Sequence, residues 1–225
     1  MNPADEFIET WYENGLAHSQ PFTGDLPASL AEWISKGAVI APTETVYGVI
    51  ALASKVGLET IAYAKGRSVE QLPPVLVSSY GDFQPYVRFA SKVQELRTTA
   101  LIEAFWPGSL TIVLPVRDDC DIPANGGVLA LRHTPNDLLA AVATRVGPIY
   151  ASSANVHGAP TVTGVQDLTV GDGLTLLSRV GRAFCSSEYR PSLASTIVEV
   201  SSTGSWRCHR VGAISVERIS EILDL

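Results

Sequence analysis

The segment Lys65-Gly66-Arg67-Ser68 contains the residue types in this sequence that most directly suggest chemistry. A lysine can meet a phosphate group as a point charge, and an arginine can hold one with two parallel N–H donors. Cations also complement the dipole at the end of a helix, and from the residues alone this structural role is about as well supported. The segment therefore indicates either an anion site or a helix terminus.

Three further polar clusters stand where apolar runs of the sequence end. The segment 43–45 (Thr-Glu-Thr) follows the run 38–41, Arg132 ends the run 127–132, and the segment 152–155 (Ser-Ser-Ala-Asn) follows another run. Ligands of open α/β sheets bind in crevices near strand ends, so the clusters could share one site. Turn and cap chemistry explains each cluster at least as well when it is taken alone.

Glu44 lies in the first of these clusters, and the residues leave three roles open for it. It could act as a base, orient a ligand or a neighbouring group, or serve as a structural hydrogen-bond acceptor. A carboxylate between two apolar runs is tolerated only when it has partners, which favours the structural role.

Several familiar catalytic and nucleotide-binding motifs are absent from the sequence. It contains neither GxxxxGK[ST] nor GxGxxG, so it predicts neither a P-loop nor a Rossmann fingerprint. It also lacks HExxH and GxSxG. The four histidines show no metal-ligand spacing and are interpreted as surface or structural residues.

Composition narrows the class of protein. The chain has 225 residues and a formal net charge of −7. This negative charge argues against nonspecific binding to nucleic acid but still allows a local basic pocket. Its three cysteines are dispersed and odd in number, as expected for reduced thiols in a cytoplasmic protein. Neither a signal peptide nor a membrane-spanning run is visible, so no membrane partner is expected.

Hydrophobic periodicity and Gly/Pro signals divide the chain into alternating elements. Residues 1–24 show no clear period and are predicted to form an irregular N-terminal arm, followed by a single domain over 25–225. Helices are predicted near 25–37, 57–65, 90–105, 135–147 and 215–223, and strands near 38–41, 46–52, 74–79, 110–116, 127–132, 148–152, 195–201 and 205–210. Strands and helices alternate in the first two thirds and strands dominate the rest, which predicts an α/β fold with a mixed sheet.

The motifs together resemble a known family. PTETVYG (42–48), KGR (65–67), FWPGSLT (105–111), ALR (130–132), SSAN (152–155), ASTIVEV (194–200) and HRVGAIS (209–215) occur in the order and spacing of the YrdC/TsaC family of L-threonylcarbamoyladenylate synthases. The resemblance covers about residues 28–222. Each motif is weak alone, but the combination is specific.

The resemblance implies a fold and a reaction. The fold is a YrdC-like single domain with a twisted mixed parallel/antiparallel sheet, flanked by helices, around a large basic cleft. The reaction is a nucleotidyl transfer that makes threonylcarbamoyl-AMP and pyrophosphate from L-threonine, bicarbonate and ATP, with magnesium bound to the ATP. The product feeds threonylcarbamoyladenosine formation at tRNA position 37 through a downstream threonylcarbamoyl transferase complex. Contact with tRNA is therefore expected to be indirect or weak.

The resemblance also assigns residues, with no nucleophile and no metal ligand from the protein. Lys65 and Arg67 would stabilise the phosphate charge. The resemblance does not assign Glu44, which is interpreted as orienting one wall of the cleft, with a catalytic base as the alternative. The remaining ATP-binding residues would be Thr111, Ser153, Asn155, Thr161 and Arg210. The threonine-binding residues would be Thr43, Tyr47, Arg132, Ala151 and Ser195.

The sequence departs from the family pattern in loops around this site. Ser68 replaces the proline of KxRP, Ser109 replaces the last proline of WPGP, and Cys185-Ser186-Ser187 stands where DGG is usual. These changes keep open a divergent paralogue that makes another carbamoyl adenylate. A noncatalytic RNA-binding module that uses the same basic cleft is a second alternative, against which the net charge of −7 counts.

Overall fold

The computed structural model describes residues 7–189 and 192–224, and the structural statements below refer to them. The strands are β1 (Phe7–Glu13), β2 (Leu16–Pro21), β3 (Ala38–Pro42), β4 (Tyr47–Leu52), β5 (Val75–Val77), β6 (Leu110–Pro115), β7 (Val128–His133), β8 (Ile149–Ser153), β9 (Arg182–Ser186), β10 (Thr196–Val200) and β11 (Trp206–Arg210). The α-helices are α1 (Leu26–Lys36), α2 (Lys55–Lys65), α3 (Lys92–Phe105), α4 (Asp137–Val146), α5 (Gly171–Val180) and α6 (Val216–Leu223).

These strands form one sheet in the spatial order β11-β10-β6-β7-β5-β8-β4-β3-β9-β1-β2. The pairs β10–β6, β5–β7 and β3–β9 are parallel, and the other neighbours are antiparallel. The predicted α/β fold with a mixed sheet is therefore confirmed. No helix in the described part of the chain is long and apolar enough to cross a membrane.

The N-terminal region corrects the sequence-based prediction. Residues 7–21 were expected to be irregular, but they form the hairpin β1–β2 at one edge of the sheet. Asn14 and Gly15 join the strands with φ angles of 51° and 86°. Two successive positive φ angles match the twist of a two-residue hairpin turn, which is why Asn-Gly is a strong hairpin signal. The hairpin is therefore encoded locally by Asn14-Gly15.

Helices cover both faces of the sheet. Helices α1 and α4 pack together on one face, where Leu30, Ile34 and Leu139 share an apolar cluster with residues of β3, β4 and β8. On the other face α2 packs against α5 and α3 against α6, in a second cluster. The sheet is thus buried on both sides and holds its strand ends in fixed relative positions.

Local sequence signals set the loops that carry the polar clusters. Residues 43–46 form a tight connection between the antiparallel strands β3 and β4. Helix α2 begins at Lys55, two residues before the predicted start, because the Ser54 hydroxyl caps it by accepting the N–H of Gly57 at 3.2 Å. Helix α2 ends as predicted at Lys65, and Gly66 follows in the left-handed conformation.

Candidate functional site

A cavity of about 200 Å³ opens where the loops after several strands meet. Its lining consists of Thr43, Thr45, Val46, Gly48, Arg67, Leu72, Pro73, Pro74, Arg132, Ala151, Ser152, Ser153, Ala194, Ser195, Ile197 and Arg210. Three of these residues are arginines and none is acidic, within the part of the chain that is described. The cavity is therefore suited to an anionic ligand.

The end of α2 places Arg67 in the lining. The Arg67 N–H bonds Ala62 O at 3.0 Å and the Gly66 N–H bonds Tyr63 O at 3.2 Å, which closes the helix in a Schellman arrangement. Gly66 has a φ of 64°, which glycine adopts without strain. The chain consequently reverses at once, and Arg67 reaches the cavity two residues after Lys65.

Arg67 is the cation that the fold leaves most available. Its Nε and Nη2 atoms are buried and have no hydrogen-bond partner among the described residues. Burial also lowers the pKa of the guanidinium. A buried donor without a partner is costly, so these atoms indicate a place that an anion can fill.

Lys65 behaves differently, because its ammonium group is enclosed by protein oxygens. Nζ donates to the Asn155 carbonyl and to Asn155 Oδ1, both at 2.8 Å, and it also contacts the carbonyl and the hydroxyl of Ser153. Lys65 is 2% exposed and is absent from the cavity lining. Burial and the nearby Arg67 lower the pKa of Lys65 to about 7.

The loop after β8 is held in place by this lysine and by its own side chains. The Ser153 hydroxyl donates to Asn155 Oδ1 at 2.6 Å, and Asn155 Nδ2 donates to the carbonyls of Val156 and Ala159 at 2.9 and 3.0 Å. Ser153 remains in the cavity lining, whereas Asn155 supports it from behind. We call these contacts the Lys65 knot, formed by Lys65, Ser153 and Asn155.

On the opposite wall, the β3–β4 connection is organised around Thr43. Its hydroxyl donates to Val46 O at 2.7 Å and accepts the N–H groups of Thr45 and Val46 at 3.1 and 3.2 Å. Thr43 thereby builds the turn in addition to lining the cavity. Gly48 lies close beside it: an added Cβ would come within 3.1 Å of Thr43 Cγ2 and 2.9 Å of Ile50 Cδ1. Glycine at position 48 therefore permits this close approach.

Behind this wall lies a buried ion pair. Arg132 Nε and Glu44 Oε1 are 2.9 Å apart, with side chains 5% and 10% exposed. Their relative orientation is too poor for a hydrogen bond, since neither atom has such a partner. Thr134 donates to the other carboxylate oxygen, Oε2, at 2.9 Å. Burial lowers the pKa of Arg132, Glu44 opposes this shift, and Arg210 adds to it.

A third group of side chains fixes Arg210. Its Nε donates to Ser195 O at 3.0 Å and its Nη2 lies 3.1 Å from Ser195 Oγ. The same hydroxyl lies 2.8 Å from Thr111 Oγ1, and both Ser195 and Thr111 are buried. Thr111 therefore positions Ser195 and Arg210 from behind the cavity.

The structure brings most of the sequence-predicted site residues together. Those in the cavity lining are Thr43, Arg67, Arg132, Ala151, Ser153, Ser195 and Arg210. Lys65, Asn155 and Thr111 stand directly behind the lining and contact it, whereas half-buried Thr161, in the loop that follows, does not line it.

Tyr47 does not belong to the cavity, contrary to the placement implied by the resemblance. Its side chain is fully buried, and its ring packs edge-on against Tyr189 with the centroids 4.4 Å apart. Its hydroxyl accepts the Ser186 N–H at 3.0 Å. Tyr47 is a core residue because the alternation along β4 directs it away from the cavity.

The sequence analysis missed Thr134 and the apolar wall made by Leu72, Pro73 and Pro74. A hydroxyl two residues after Arg132 was the available signal for Thr134. A larger groove of about 700 Å³ lies elsewhere, beside the start of α2 and residues 116–127. It is mainly apolar and holds none of the predicted site residues.

The fold and the cavity define an α/β domain with an arginine-lined cavity where strand ends meet. The chain belongs to the Sua5/YciO/YrdC family, whose sequence profile carries the description "Telomere recombination" and matches residues 32–212. The resemblance found in the sequence is thereby confirmed.

Curated relatives of the chain carry a consistent name. A putative threonylcarbamoyl-AMP synthase of Mycobacterium leprae is 32% identical over 189 residues, covering 82% of this chain and 81% of the relative. The threonylcarbamoyl-AMP synthase of Pyrococcus abyssi is 26% identical over 200 residues, covering 86% of this chain and 56% of the longer relative.

Solved structures share the fold. P. abyssi Sua5 complexed with L-threonine superposes with a TM-score of 0.68 at 23% identity, over 88% of this chain and 57% of that one. E. coli YciO gives a TM-score of 0.62 at 15% identity, over 86% of this chain and 92% of that one. At these identities the similarity concerns the fold alone.

Proposed function

We propose that this chain is a threonylcarbamoyl-AMP synthase, a nucleotidyltransferase that forms threonylcarbamoyl-AMP and pyrophosphate from L-threonine, bicarbonate and ATP. The observation that carries the proposal is the convergence of Arg67, Arg132 and Arg210 on one cavity with no acidic residue in its described lining. The names of the relatives from M. leprae and P. abyssi support the choice of substrates.

The reaction needs reactants to be held together more than it needs a protein nucleophile. The threonine amine first forms a bond to the carbon of bicarbonate, with loss of water, which gives a carbamate. A carbamate oxygen then attacks the α-phosphorus of ATP, and the bond from that phosphorus to the β-phosphate bridging oxygen breaks to release pyrophosphate. The protein contributes proximity and neutralisation of phosphate charge.

The cavity offers a place for each charged group. Arg67 has two unpartnered buried donors for ATP phosphates, and Arg210 lies on the same cavity. Arg132 would receive the threonine carboxylate as a two-pronged partner. Lys65 would neutralise phosphate charge either from within the Lys65 knot or after it opens.

Magnesium would enter the site with ATP. Among the described residues no group of three or more His, Cys, Asp or Glu side chains is arranged to hold a metal ion. Hydrated Mg²⁺ is commonly bound through substrate phosphates, so it would assist the departure of pyrophosphate from there.

We place the enzyme in the cytoplasm, where its product would pass to a separate threonylcarbamoyl transferase complex that modifies tRNA position 37. The three cysteines are free and dispersed, which supports a reducing compartment. Contact with tRNA would be weak or indirect, in keeping with the net charge of −7.

A pyrophosphate-release assay tests the function. Purified protein with MgATP should release pyrophosphate only when bicarbonate and L-threonine are both present, and mass spectrometry should detect threonylcarbamoyl-AMP. Serine and carbamoyl phosphate are the comparison substrates. Release that is stimulated by carbamoyl phosphate and not by threonine would replace the proposal with a different carbamoyl-adenylate synthase. Tight, salt-sensitive tRNA binding without ATP turnover would favour the RNA-binding module.

A further inference from the structure

Glu44 has no role in the function proposed above, although it is the carboxylate nearest to the cavity's most buried cation. Its side chain is 10% exposed and lies outside the cavity lining, whereas Arg132 belongs to the lining. Any influence of Glu44 on a ligand in the cavity therefore passes through Arg132. A direct role as base would require Glu44 to face the reacting amine, and this geometry does not provide that.

The contact between the two groups is specific to one edge of the guanidinium. Glu44 Oε1 approaches Arg132 Nε at 2.9 Å. A guanidinium has further N–H donors on its two terminal nitrogens, and these are the ones that pair with a carboxylate in the two-pronged arrangement. The charge attraction at 2.9 Å holds the Nε edge of the guanidinium beside Glu44, although the two atoms are not aligned as a hydrogen bond, and Arg132 still lines the cavity.

Glu44 is itself held from the opposite side. The Thr134 hydroxyl donates to Oε2 at 2.9 Å and accepts the Asn136 N–H at 3.1 Å. Asn136 caps α4 by accepting the N–H of Leu139 at 3.2 Å. The carboxylate is thereby tied to the start of a helix that is packed into the core, and such support can hold a binding group in place.

We propose that Glu44 is a positioning residue that aims the Arg132 guanidinium at the carboxylate of the amino-acid substrate, with Thr134 as its anchor. The inference rests on the proposed function for the identity of that substrate. Glu44 and Thr134 are then determinants of amino-acid binding that do not contact the amino acid.

The experiment compares KM values for threonine and for ATP in the pyrophosphate-release assay. Glu44→Gln should raise the KM for threonine about 10-fold, as expected for the loss of one buried ion-pair contact to Arg132, and change the KM for ATP less than about 2-fold. Glu44→Asp should recover most of the loss because it keeps the charge. Thr134→Val, which keeps the ion pair but removes its anchor, should raise the KM for threonine about 3-fold.

Glu9→Gln is the matched control, because Glu9 forms a partly buried ion pair with Arg182 at 2.6 Å in the N-terminal hairpin, away from the cavity. It should lower the melting temperature without changing either KM. This control distinguishes a general loss of stability from a loss of the orientation of Arg132. If Glu44→Gln does not fold, Thr134→Val supplies the comparison, because it should raise the KM for threonine without changing the KM for ATP.

Two results would overturn the inference. One is an equal rise in both KM values, which would indicate general loosening of the site. The other is a fall in kcat with an unchanged KM for threonine, which would make Glu44 a base. If the wild-type protein shows no threonine-dependent turnover, the proposed function fails on its own. The inference is then tested by the melting-temperature increase with L-threonine alone: an increase retained in Glu44→Gln overturns it.

Discussion

The two walls of the cavity hold their cations in opposite ways. In the Lys65 knot, an ammonium group is surrounded by neutral oxygens of Ser153 and Asn155. On the other wall, Arg132 faces the carboxylate of Glu44 at 2.9 Å. An arginine stays charged in proteins, whereas a buried lysine readily loses its proton. One wall therefore carries a fixed charge with a fixed direction, and the other a charge that depends on its surroundings.

This difference matches the ligands proposed for each wall. An amino-acid carboxylate has one charge and a planar shape, which suits an aimed guanidinium. Polyphosphate brings several negative charges. Their binding would favour the ammonium form of Lys65, whose pKa is lowered by burial. The comparison predicts that substitutions in the two walls will have different consequences for stability and binding.

The largest effect is expected from Arg132→Ala. Removing the guanidinium leaves Glu44 as a buried charge without its ion-pair partner, and breaking one side of such a pair costs about 3–5 kcal/mol in unfolding free energy. Urea unfolding should show this loss, and threonine-dependent pyrophosphate release should fall below detection. The double variant Arg132→Met/Glu44→Gln should recover stability without recovering activity.

Recovery of stability alone would show that the pair exists for binding rather than for folding. If Arg132→Ala were as stable as the wild-type protein, the carboxylate would have found another partner. The fixed-charge description of this wall would then be wrong.

Arg67→Ala should weaken ATP binding strongly without lowering the stability of the fold. The buried Nε and Nη2 atoms of Arg67 have no hydrogen-bond partners and are costly in the unliganded protein, so its removal should leave the unfolding free energy unchanged or raise it by about 1 kcal/mol. The KM for ATP should rise about 10- to 100-fold through loss of a charge-assisted phosphate contact. Arg179→Ala is a suitable control. Arg179 donates to the Ala64 carbonyl near the end of the same helix but does not line the cavity, so this variant should leave the KM for ATP unchanged. A large loss of stability in Arg67→Ala would contradict its assignment as an available cation.

Much of this framework was predictable from the sequence because it depends on local signals. The strand 38–41 ends near Pro42, α2 ends at Gly66, and alternating or helical periodicity locates most other elements. The hairpin β1–β2 depends on an equally local signal, the Asn14-Gly15 turn, although its strands show no clear hydrophobic period.

The partners inside the site could not be predicted in the same way. Lys65 and Ser153 are 88 residues apart, and Glu44 and Thr134 are 90 apart. Which strands become neighbours decides these pairings, and no local pattern encodes that choice. The same limit explains Tyr47: the motif located it near the site, but only the sheet determines which side of β4 faces the cavity.

The smallest effect should be the contribution of Lys65 to the pH dependence of the unfolding free energy. It tests directly whether the charge of Lys65, unlike that of Arg132, depends on its surroundings. The pKa falls from an ordinary value of 10.5 to about 7 in the folded chain. Between these values the unfolded chain binds more protons, so the unfolding free energy should rise with pH across this window. From about pH 7.5 to about pH 9, the rise should exceed that of Lys65→Met by about 2 kcal/mol, measured by urea unfolding without ligand.

Lys65→Met removes the titrating group, so the difference between the two slopes belongs to this lysine, whatever stability the variant loses overall. Lys36→Met serves as the control, because Lys36 is exposed on α1 and should leave the slope unchanged. Equal slopes in the wild-type protein and Lys65→Met would mean that the oxygens of the Lys65 knot keep the ammonium form in the folded chain. Both walls would then carry a permanent positive charge. They would differ only in that the Arg132 guanidinium is oriented by a carboxylate.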